Sequence, residues 1–142
     1  MIVDTGVLIA AFVPHEDAHD RVTRGIDEHQ RRNPLDPLVV SPLCVAELDH
    51  VISRRYGYKS ALAAVRALSS GAWEIPVINH EDLVAIADIA SRYADQRIGA
   101  TDASLVVLAH RYRTHTIATL DRRHFESMRA IDGKPFEIVP AP

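Results

Sequence analysis

The residues of this chain that could carry out chemistry are four acids scattered along it, Asp4, Glu47, Asp102 and Asp121. Two carboxylates about 4 Å apart repel by roughly 4 kcal/mol at an effective dielectric constant near 20, so four gathered carboxylates must take up protons or bind a cation. A site of oxygen ligands with room for water suits Mg²⁺, or else Mn²⁺, better than Zn²⁺. Such a site can activate water and neutralise a phosphate during an in-line displacement.

Two of the acids follow short apolar runs that predict strands. Asp4 follows Ile2 and Val3, and Asp121 follows the run at residues 116–120. The carboxyl ends of strands in an open α/β sheet form the crevice where ligands bind. If these two strands are neighbours, both aspartates face one cleft.

The other two acids lie in segments with helical periodicity. Thr101 or Asp102 is predicted to begin a helix through Tyr112, and the spacing from Asp102 to Leu105 puts its carboxylate at the top of the buried face. Glu47 interrupts an otherwise apolar row of an earlier helix. A glutamate there either reaches solvent at the boundary or has something buried to bind.

Each acid also has a purely structural interpretation. Asp102 and Asp121 stand where aspartate commonly caps helices. Asp4 can form a turn before Gly6, and Glu47 can be an ordinary boundary residue. The joint interpretation is favoured because all four positions converge on one end of one predicted sheet.

The elements that must position these acids follow an α/β pattern. Short β-branched runs alternate with longer segments of helical periodicity, which predicts a mainly parallel sheet. The runs are residues 2–3, 38–40, 75–78, 116–120 and 136–139. The last run follows a turn signal and is predicted to be an edge strand, and residues 139–142 are predicted to be a frayed end.

Helix starts have clear local signals. Ser41-Pro42 offers an N-cap with proline at the first helical position, Asn79 with Asp82 resembles a capping box, and Asp121 can cap a short helix. With no repeat or linker in the sequence, we predict a single domain over residues 1–142.

Composition narrows the function. The chain has 142 residues, of which 47% are hydrophobic and 25% charged, which is ordinary for one folded domain. The formal net charge of -3 provides no general attraction to nucleic acid, so any such contact must use a local basic patch. The one cysteine, Cys44, is predicted to be a buried small hydrophobe. The start of the chain does not resemble a signal peptide and no run is long enough to cross a bilayer, so we expect a cytoplasmic protein.

Basic residues come in local groups that could grip a phosphate backbone. Arg54, Arg55 and Lys59 form one group, and Arg122 and Arg123 directly follow the fourth acid. Cations beside an acidic pocket would hold RNA on either side of a scissile bond, although for any single arginine a solvated surface is about as good an interpretation.

One other motif matches a known pattern. Residues 15–19 spell H-E-x-x-H, the pattern of zinc proteases. The match follows Pro14 at a helix start, and the charged Asp17 fills a spacer position, so zinc proteolysis remains a remote alternative. The sequence has no Gly-rich phosphate loop, and we expect no nucleotide cofactor.

The acidic motifs resemble, in order, those of PIN domains, and their spacing resembles the VapC toxins of bacterial toxin–antitoxin pairs. The matching segments are residues 1–5, Ala46-Glu47-Leu48, Thr101-Asp102-Ala103-Ser104 and residues 119–125. The resemblance covers essentially the whole chain. The segment Thr-Leu-Asp-Arg-Arg-His-Phe at residues 119–125 is quite specific to the family. The pair Asp4-Thr5 near the first residue is not specific to it.

The resemblance implies a three-layer α/β/α fold around a mainly parallel sheet of roughly five strands. It also implies a magnesium-dependent endoribonuclease toxin in which metal-activated water hydrolyses RNA. By position, Asp4 and Asp102 would be the firmest metal ligands, and Glu47 and Asp121 would complete the site directly or through water. The hydroxyl positions that match the family's supporting groups are Thr5 and Thr119.

Members of the family cut structured RNA such as tRNA or the sarcin–ricin loop of rRNA, form homodimers and are inhibited by a cognate VapB antitoxin. The resemblance therefore implies these partners here. The alternative is a PIN-like domain that binds RNA or protein with little turnover, and a requirement for magnesium would separate the two.

Overall fold

The computed structural model describes residues 1–140, in which a parallel sheet of four strands is flanked by seven helices. The elements in chain order are β1 (Ile2–Val3), α1 (Thr5–Phe12), α2 (His19–Arg32), β2 (Val39–Val40), α3 (Pro42–Tyr56), α4 (Tyr58–Leu68), α5 (His80–Arg92), a 3₁₀ turn (Ala94–Gln96), α6 (Ala100–Arg111), β3 (Thr116–Ala118), α7 (Arg122–Ser127) and β4 (Glu137–Val139). The predicted α/β class is confirmed.

The sheet has the order β2-β1-β3-β4, and every pairing is parallel. Ile2 of β1 pairs with Val39 on one side and with Ile117 on the other. Strands covered by helices on both faces are mainly apolar, in agreement with the buried aliphatic residues of β1, β2 and β3. Because β1 and β3 are neighbours, the residues that follow them emerge at the same edge.

The strand predicted at residues 75–78 is wrong. Within residues 1–140 this segment contributes a single parallel bridge, in which the Val40 amide donates to Glu74 and the Glu74 amide donates to Leu38, both at 2.8 Å. Pro76 has no amide hydrogen to continue such a ladder. Ile75 and Val77 are accordingly 42% and 78% exposed. The expected fifth strand is thus reduced to one bridge beside β2.

Local capping signals set most of the helix starts. Ser41 accepts from the amide of Leu43 at the start of α3, and Asn79 forms a reciprocal capping box with Asp82 at the start of α5. Asp121 caps α7, as predicted. These helices begin at residues whose side chains satisfy otherwise unpaired amides.

The predicted start of α6 is wrong. The helix begins at Ala100 with Gly99 as its N-cap, so Thr101 and Asp102 lie inside the first turn. Asp102 therefore does not cap the helix, and its carboxylate is free to interact with other elements.

The hydrophobic core surrounds the central strand β1. Helix α6 is buried continuously from Ala103 to Ala109 and packs against β1 and β3. Phe125 of α7 is fully buried and meets Phe136 edge to face. This packing fixes the helix starts that carry the acids relative to the sheet.

The last described residues form an edge. Residues 137–139 form β4 beside β3, which confirms the predicted edge strand. The predicted frayed end is wrong for Val139, which lies in that strand, and the rest of the prediction falls partly on residues 141–142, outside the described residues. Among residues 1–140, no helix combines the length and apolar character needed to cross a bilayer.

Candidate active site

Asp4 lies at the carboxyl end of β1 and is the most buried of the four acids, with 8% of its surface exposed. It is the N-cap of α1, and its Oδ1 accepts from the Thr5 amide at 2.6 Å. Its Oδ2 accepts from the Thr119 hydroxyl at 2.7 Å. A carboxylate at the start of a helix is stabilised by the free amides there.

Burial nevertheless dominates the titration of Asp4. Loss of hydration raises the pKa of its carboxyl from 3.8 to about 6, and repulsion from Asp102 and Glu47 adds to that rise. The hydrogen bonds from Thr119 and Thr5 lower the pKa without cancelling the effect. A positive charge close to Asp4 therefore stabilises the ionised form of its carboxyl group.

Glu47 reaches Asp4's surroundings from α3. Its Oε2 accepts from the Thr5 hydroxyl at 2.7 Å, while the residue as a whole is exposed. Glu47 therefore stands at the solvent boundary of the helix, while its carboxylate contacts Thr5, the residue next to Asp4. Thr5 joins the two, donating its amide to Asp4 and its hydroxyl to Glu47.

Asp102 and Asp121 face each other across a histidine. The Nδ1 of His124 lies 3.2 Å from Asp102 Oδ2 and 3.0 Å from Asp121 Oδ2. Burial raises the pKa of Asp102; His124 opposes that shift, and repulsion from Asp121 and Glu47 reinforces it. When protonated, the imidazolium supplies positive charge between the two carboxylates.

Thr119 ties the two halves of the site together. Its hydroxyl donates to Asp4 Oδ2 and accepts from the amide of Asp121 at 2.9 Å. The structure thus gathers residues 4, 47, 102 and 121 at the carboxyl edge of the sheet, where their charges perturb one another. We call these four residues the acidic cluster.

The acidic cluster fits a hard divalent cation held partly through water. Within residues 1–140, no three His, Cys, Asp or Glu side chains are arranged so that they enclose a metal ion as they stand. Mg²⁺ does not need such a cage, because it keeps several waters and uses one or two carboxylates together with substrate phosphates. The buried Nδ1 of His124 has no well-aligned hydrogen-bond partner among the described residues and fills the place between Asp102 and Asp121.

His124 was not singled out by the sequence as a site residue. It stands three residues after Asp121, in the short helix α7, and both residues lie in the segment 119–125 that resembles the family. Its contact with Asp102 depends on how α7 packs beside α6. Spacing along the chain does not report this packing.

The predicted basic residues lie at different distances from the acidic cluster. Arg122 and Arg123 begin α7 directly after Asp121, at the rim of the site. Arg54 and Arg55 are in the last turn of α3, about 11 Å along the helix from Glu47 at 1.5 Å per residue. Lys59 is in the first turn of α4, further along the chain.

Two other reactive groups are accounted for structurally. Burial raises the pKa of the Cys44 thiol to about 12, so Cys44 is the buried hydrophobe that the sequence predicted. In the H-E-x-x-H segment, His15 lies in a turn and His19 begins α2 with its Nδ1 2.7 Å from the carbonyl of Ala10. The two histidines do not share a helix, so the zinc-protease alternative is wrong.

Comparison with known proteins places these features in context. A sequence model of the PIN domain matches residues 1–131. Ribonuclease VapC26 of Mycobacterium tuberculosis is 46% identical over 140 residues, which cover 99% of this chain and 100% of that protein.

Solved structures share the fold at low sequence identity. VapC20 of Mycobacterium tuberculosis, described as a toxin that cleaves the sarcin–ricin loop, aligns with a TM-score of 0.70 and 15% identity over 82% of this chain and 85% of its own. VapBC2 of Rickettsia felis, bound to a promoter DNA fragment, aligns at 0.68 and 16% identity over 96% of both chains. FitAcB of Neisseria gonorrhoeae aligns at 0.59 and 20% identity, also over 96% of both chains.

Proposed function

Because this chain belongs to the PIN-domain family and is a homologue of the VapC ribonucleases, we propose that it is a toxin that cleaves structured RNA, tRNA or rRNA, with Mg²⁺ held by the acidic cluster. The observation that carries the proposal is the position of Asp4 at the carboxyl edge of the sheet, where burial first and the neighbouring acids second raise the pKa of its carboxyl. A bound dication relieves this repulsion and so makes the ionised cluster stable.

Within this proposal the four acids have distinct tasks. Asp4 and Asp102 hold the metal directly, and Glu47 and Asp121 position it or its water ligands. When bound, Mg²⁺ lowers the pKa of water and neutralises the charge of the scissile phosphate. Mn²⁺ can take the same place, since it also prefers oxygen ligands.

The hydroxyls of Thr5 and Thr119 orient the carboxylates in this proposal. Thr5 holds Glu47 towards Asp4, and Thr119 holds Asp4 against the start of α7. Groups that hydrogen-bond metal-binding carboxylates fix their orientation and therefore the metal affinity. Arg122 and Arg123 at the rim bind RNA phosphates near the scissile bond.

Arg54, Arg55 and Lys59 are proposed to bind RNA further out. All three are exposed at the adjoining ends of α3 and α4, and Arg55 lies 3.9 Å from Glu16, a long distance for an ion pair. Their charges remain available for phosphates beyond the active site.

The test is RNA cleavage by the purified chain. Deproteinised bacterial tRNA and rRNA are incubated with the protein in Mg²⁺ or in EDTA and separated on a denaturing gel. Asp4→Asn should lower cleavage at least about a hundredfold, because it removes a metal-binding charge with little change of volume. Asp49→Asn is the matched control, since Asp49 is exposed on the same helix as Glu47 and outside the cluster.

The outcomes separate catalysis from binding. Cleavage that requires Mg²⁺ and is lost only in Asp4→Asn supports the proposal. Full cleavage by Asp4→Asn would reject the mechanism. RNA binding that persists in EDTA without any cleavage in Mg²⁺ would instead indicate a PIN-like binding domain with little turnover.

We also propose that the chain acts in the cytoplasm as a homodimer and that a cognate VapB-type antitoxin inhibits it. Its structural neighbours include VapBC2 and FitAcB. Light scattering of the purified chain tests the homodimer. Co-expression with a short reading frame encoded immediately upstream, followed by purification and light scattering, tests the antitoxin. A monomer that does not co-purify with that product would contradict them.

A further inference from the structure

A large cleft of about 830 Å³ lies apart from the acidic cluster, between α2 and the edge strand β4. Four arginines line it: Arg21, Arg24, Arg32 and Arg113. The chain as a whole carries a net charge of -3, so such a concentration of positive charge in one concave surface is a local feature. We call this surface the arginine cleft.

Three of these arginines form a stripe on α2. Arg21, Arg24, Glu28 and Arg32 follow one another at spacings of three, four and four residues, which places them along one side of the helix. Gly25 packs so closely against Pro140 that a Cβ there would lie 2.9 Å from the proline Cβ. This contact turns the stripe towards the end of β4.

Arg113 is brought to the other side of the cleft by the end of α6. The amide of Thr114 donates to Ala109 and the amide of Arg113 donates to His110, the two hydrogen bonds that terminate a helix in a Schellman motif. Arg113 adopts the left-handed conformation that this ending requires, with φ of 51°. Its backbone conformation is therefore fixed by the helix ending.

The acids in the cleft are already engaged by protein groups. Glu28 contacts Arg32 at 3.8 Å, Asp36 contacts the Met1 ammonium and His29 at 2.7 and 2.6 Å, and Glu137 accepts from the Thr116 hydroxyl at 3.2 Å.

In contrast, the guanidinium groups of Arg21, Arg24 and Arg113 have no carboxylate within 4.0 Å and no hydrogen-bond acceptor anywhere in the described part of the chain. Three sets of donors are thus left for an anion.

The arginine cleft is connected to the acidic cluster. Arg122 directly follows Asp121 and donates to the carbonyl of Pro140 at 3.4 Å. Pro140 in turn lines the cleft and contacts α2 at Gly25. Arg122, which also pairs with Glu126 at 3.0 Å, and Pro140 therefore link the rim of the active site to the arginine cleft through direct contacts.

We propose that the arginine cleft binds the sugar–phosphate backbone of the RNA substrate on one side of the scissile bond. This inference rests on the proposed ribonuclease function. Guanidinium groups match phosphate oxygens with paired hydrogen bonds. An RNA strand with its scissile bond at the acidic cluster passes Arg122 and Pro140 and so reaches the cleft. The polyanion bound there is therefore the substrate itself. Contacts to phosphates carry no base information, so the cleft contributes affinity and placement but not sequence choice.

The test compares two double variants with the same loss of charge. Arg21→Gln/Arg24→Gln removes two cleft arginines, and Arg31→Gln/Arg92→Gln removes two exposed arginines that do not line the cleft. Binding of fluorescently labelled bacterial tRNA is measured by anisotropy in EDTA over a series of salt concentrations. Cleavage of the same tRNA in Mg²⁺ gives kcat and KM.

The cleft variant should bind tRNA roughly tenfold more weakly, and the slope of log affinity against log salt should fall by about 1.8, or 0.9 for each lost phosphate contact. Its KM should rise while kcat stays unchanged. Equal losses in the two double variants, or an unchanged slope in the cleft variant, would overturn the inference. Polyglutamate provides a second arm: a cleft variant that loses affinity for polyglutamate but not for tRNA would show a site for an acidic protein instead.

These outcomes are separable from the proposed function. If the unmodified chain cleaves tRNA and the cleft variant does so with the same KM, only the cleft assignment fails. If the unmodified chain neither binds nor cleaves RNA, the proposed function fails and the cleft assignment with it. Circular dichroism of each variant confirms that these exposed substitutions leave the fold intact.

Discussion

The burial of Asp4 makes a quantitative prediction about stability in the absence of metal. The pKa of its carboxyl is about 6 in the folded chain and 3.8 when the residue is in water. Between these values the folded state holds the proton more tightly than the unfolded state, so stability falls as the pH rises. The difference corresponds to about 3 kcal/mol, which is fully lost once the pH exceeds the folded value.

Asp4→Asn removes this titration while keeping the size of the side chain. We therefore expect the free energy of unfolding of the variant, relative to the unmodified chain, to rise by up to about 3 kcal/mol between pH 4 and pH 7 in EDTA. Any constant loss from the changed hydrogen bond to Thr119 shifts both ends of the curve equally. Urea denaturation monitored by circular dichroism measures the difference at each pH.

Asp49→Asn is the control for this experiment, because its carboxylate is exposed and lies outside the acidic cluster. Added Mg²⁺ should stabilise the unmodified chain at pH 7 and stabilise Asp4→Asn less, since only the former has the full cluster charge. A difference curve for Asp4→Asn that stays flat within about 0.5 kcal/mol would refute the argument that burial and neighbouring acids perturb this group.

Three further substitutions probe the surrounding structure by urea denaturation. Thr119→Val removes the hydroxyl that donates to Asp4, and we expect a loss of about 1–3 kcal/mol with a further rise of the Asp4 pKa. Gly25→Ala should lose about 1–3 kcal/mol, because its Cβ would meet Pro140 at 2.9 Å. Leu48→Ala empties a fully buried position of α3 and should cost about 2–5 kcal/mol.

Each of these substitutions has a matched control. Thr119→Ser keeps the hydroxyl and should retain the Asp4 titration. Gly6→Ala adds a Cβ with its nearest neighbour at 3.8 Å, so it should not destabilise the chain. Leu62→Ala removes a leucine that is 37% exposed and should cost less than Leu48→Ala. If a control variant gave the same result as the substitution with which it is paired, the contact assigned to that position would be contradicted.

The sequence predicted those parts of the fold that depend on local signals. Ser41 and Asn79 begin helices because their side chains satisfy amides within three residues. The predicted fifth strand at residues 75–78 did not form, although the segment is rich in β-branched residues. Pro76 has no amide hydrogen with which to extend a strand pairing. The start of α6 was misplaced because Gly99 offers no side chain that marks a cap.

The candidate site was predictable in part, because two of its acids follow predicted strands. Asp4 and Asp121 follow neighbouring strands, so their approach follows from the parallel pairing of β1 and β3. The position of His124 and the shape of the arginine cleft depend on contacts between elements that are far apart in the chain. The sequence alone does not indicate these contacts. The stripe on α2 is visible in the residue spacing, but nothing local indicates that it faces Pro140.

The strand β1 is only two residues long, and Asp4 is the next residue after it. Each strand residue advances the chain by about 3.3 Å and reverses the direction of the side chain. Inserting one residue before Asp4 would therefore both displace this carboxylate and turn it to the opposite face of the sheet. Evolution of this protein can exchange many side chains, but it must keep Asp4 directly after a β1 strand whose register with β2 and β3 is unchanged.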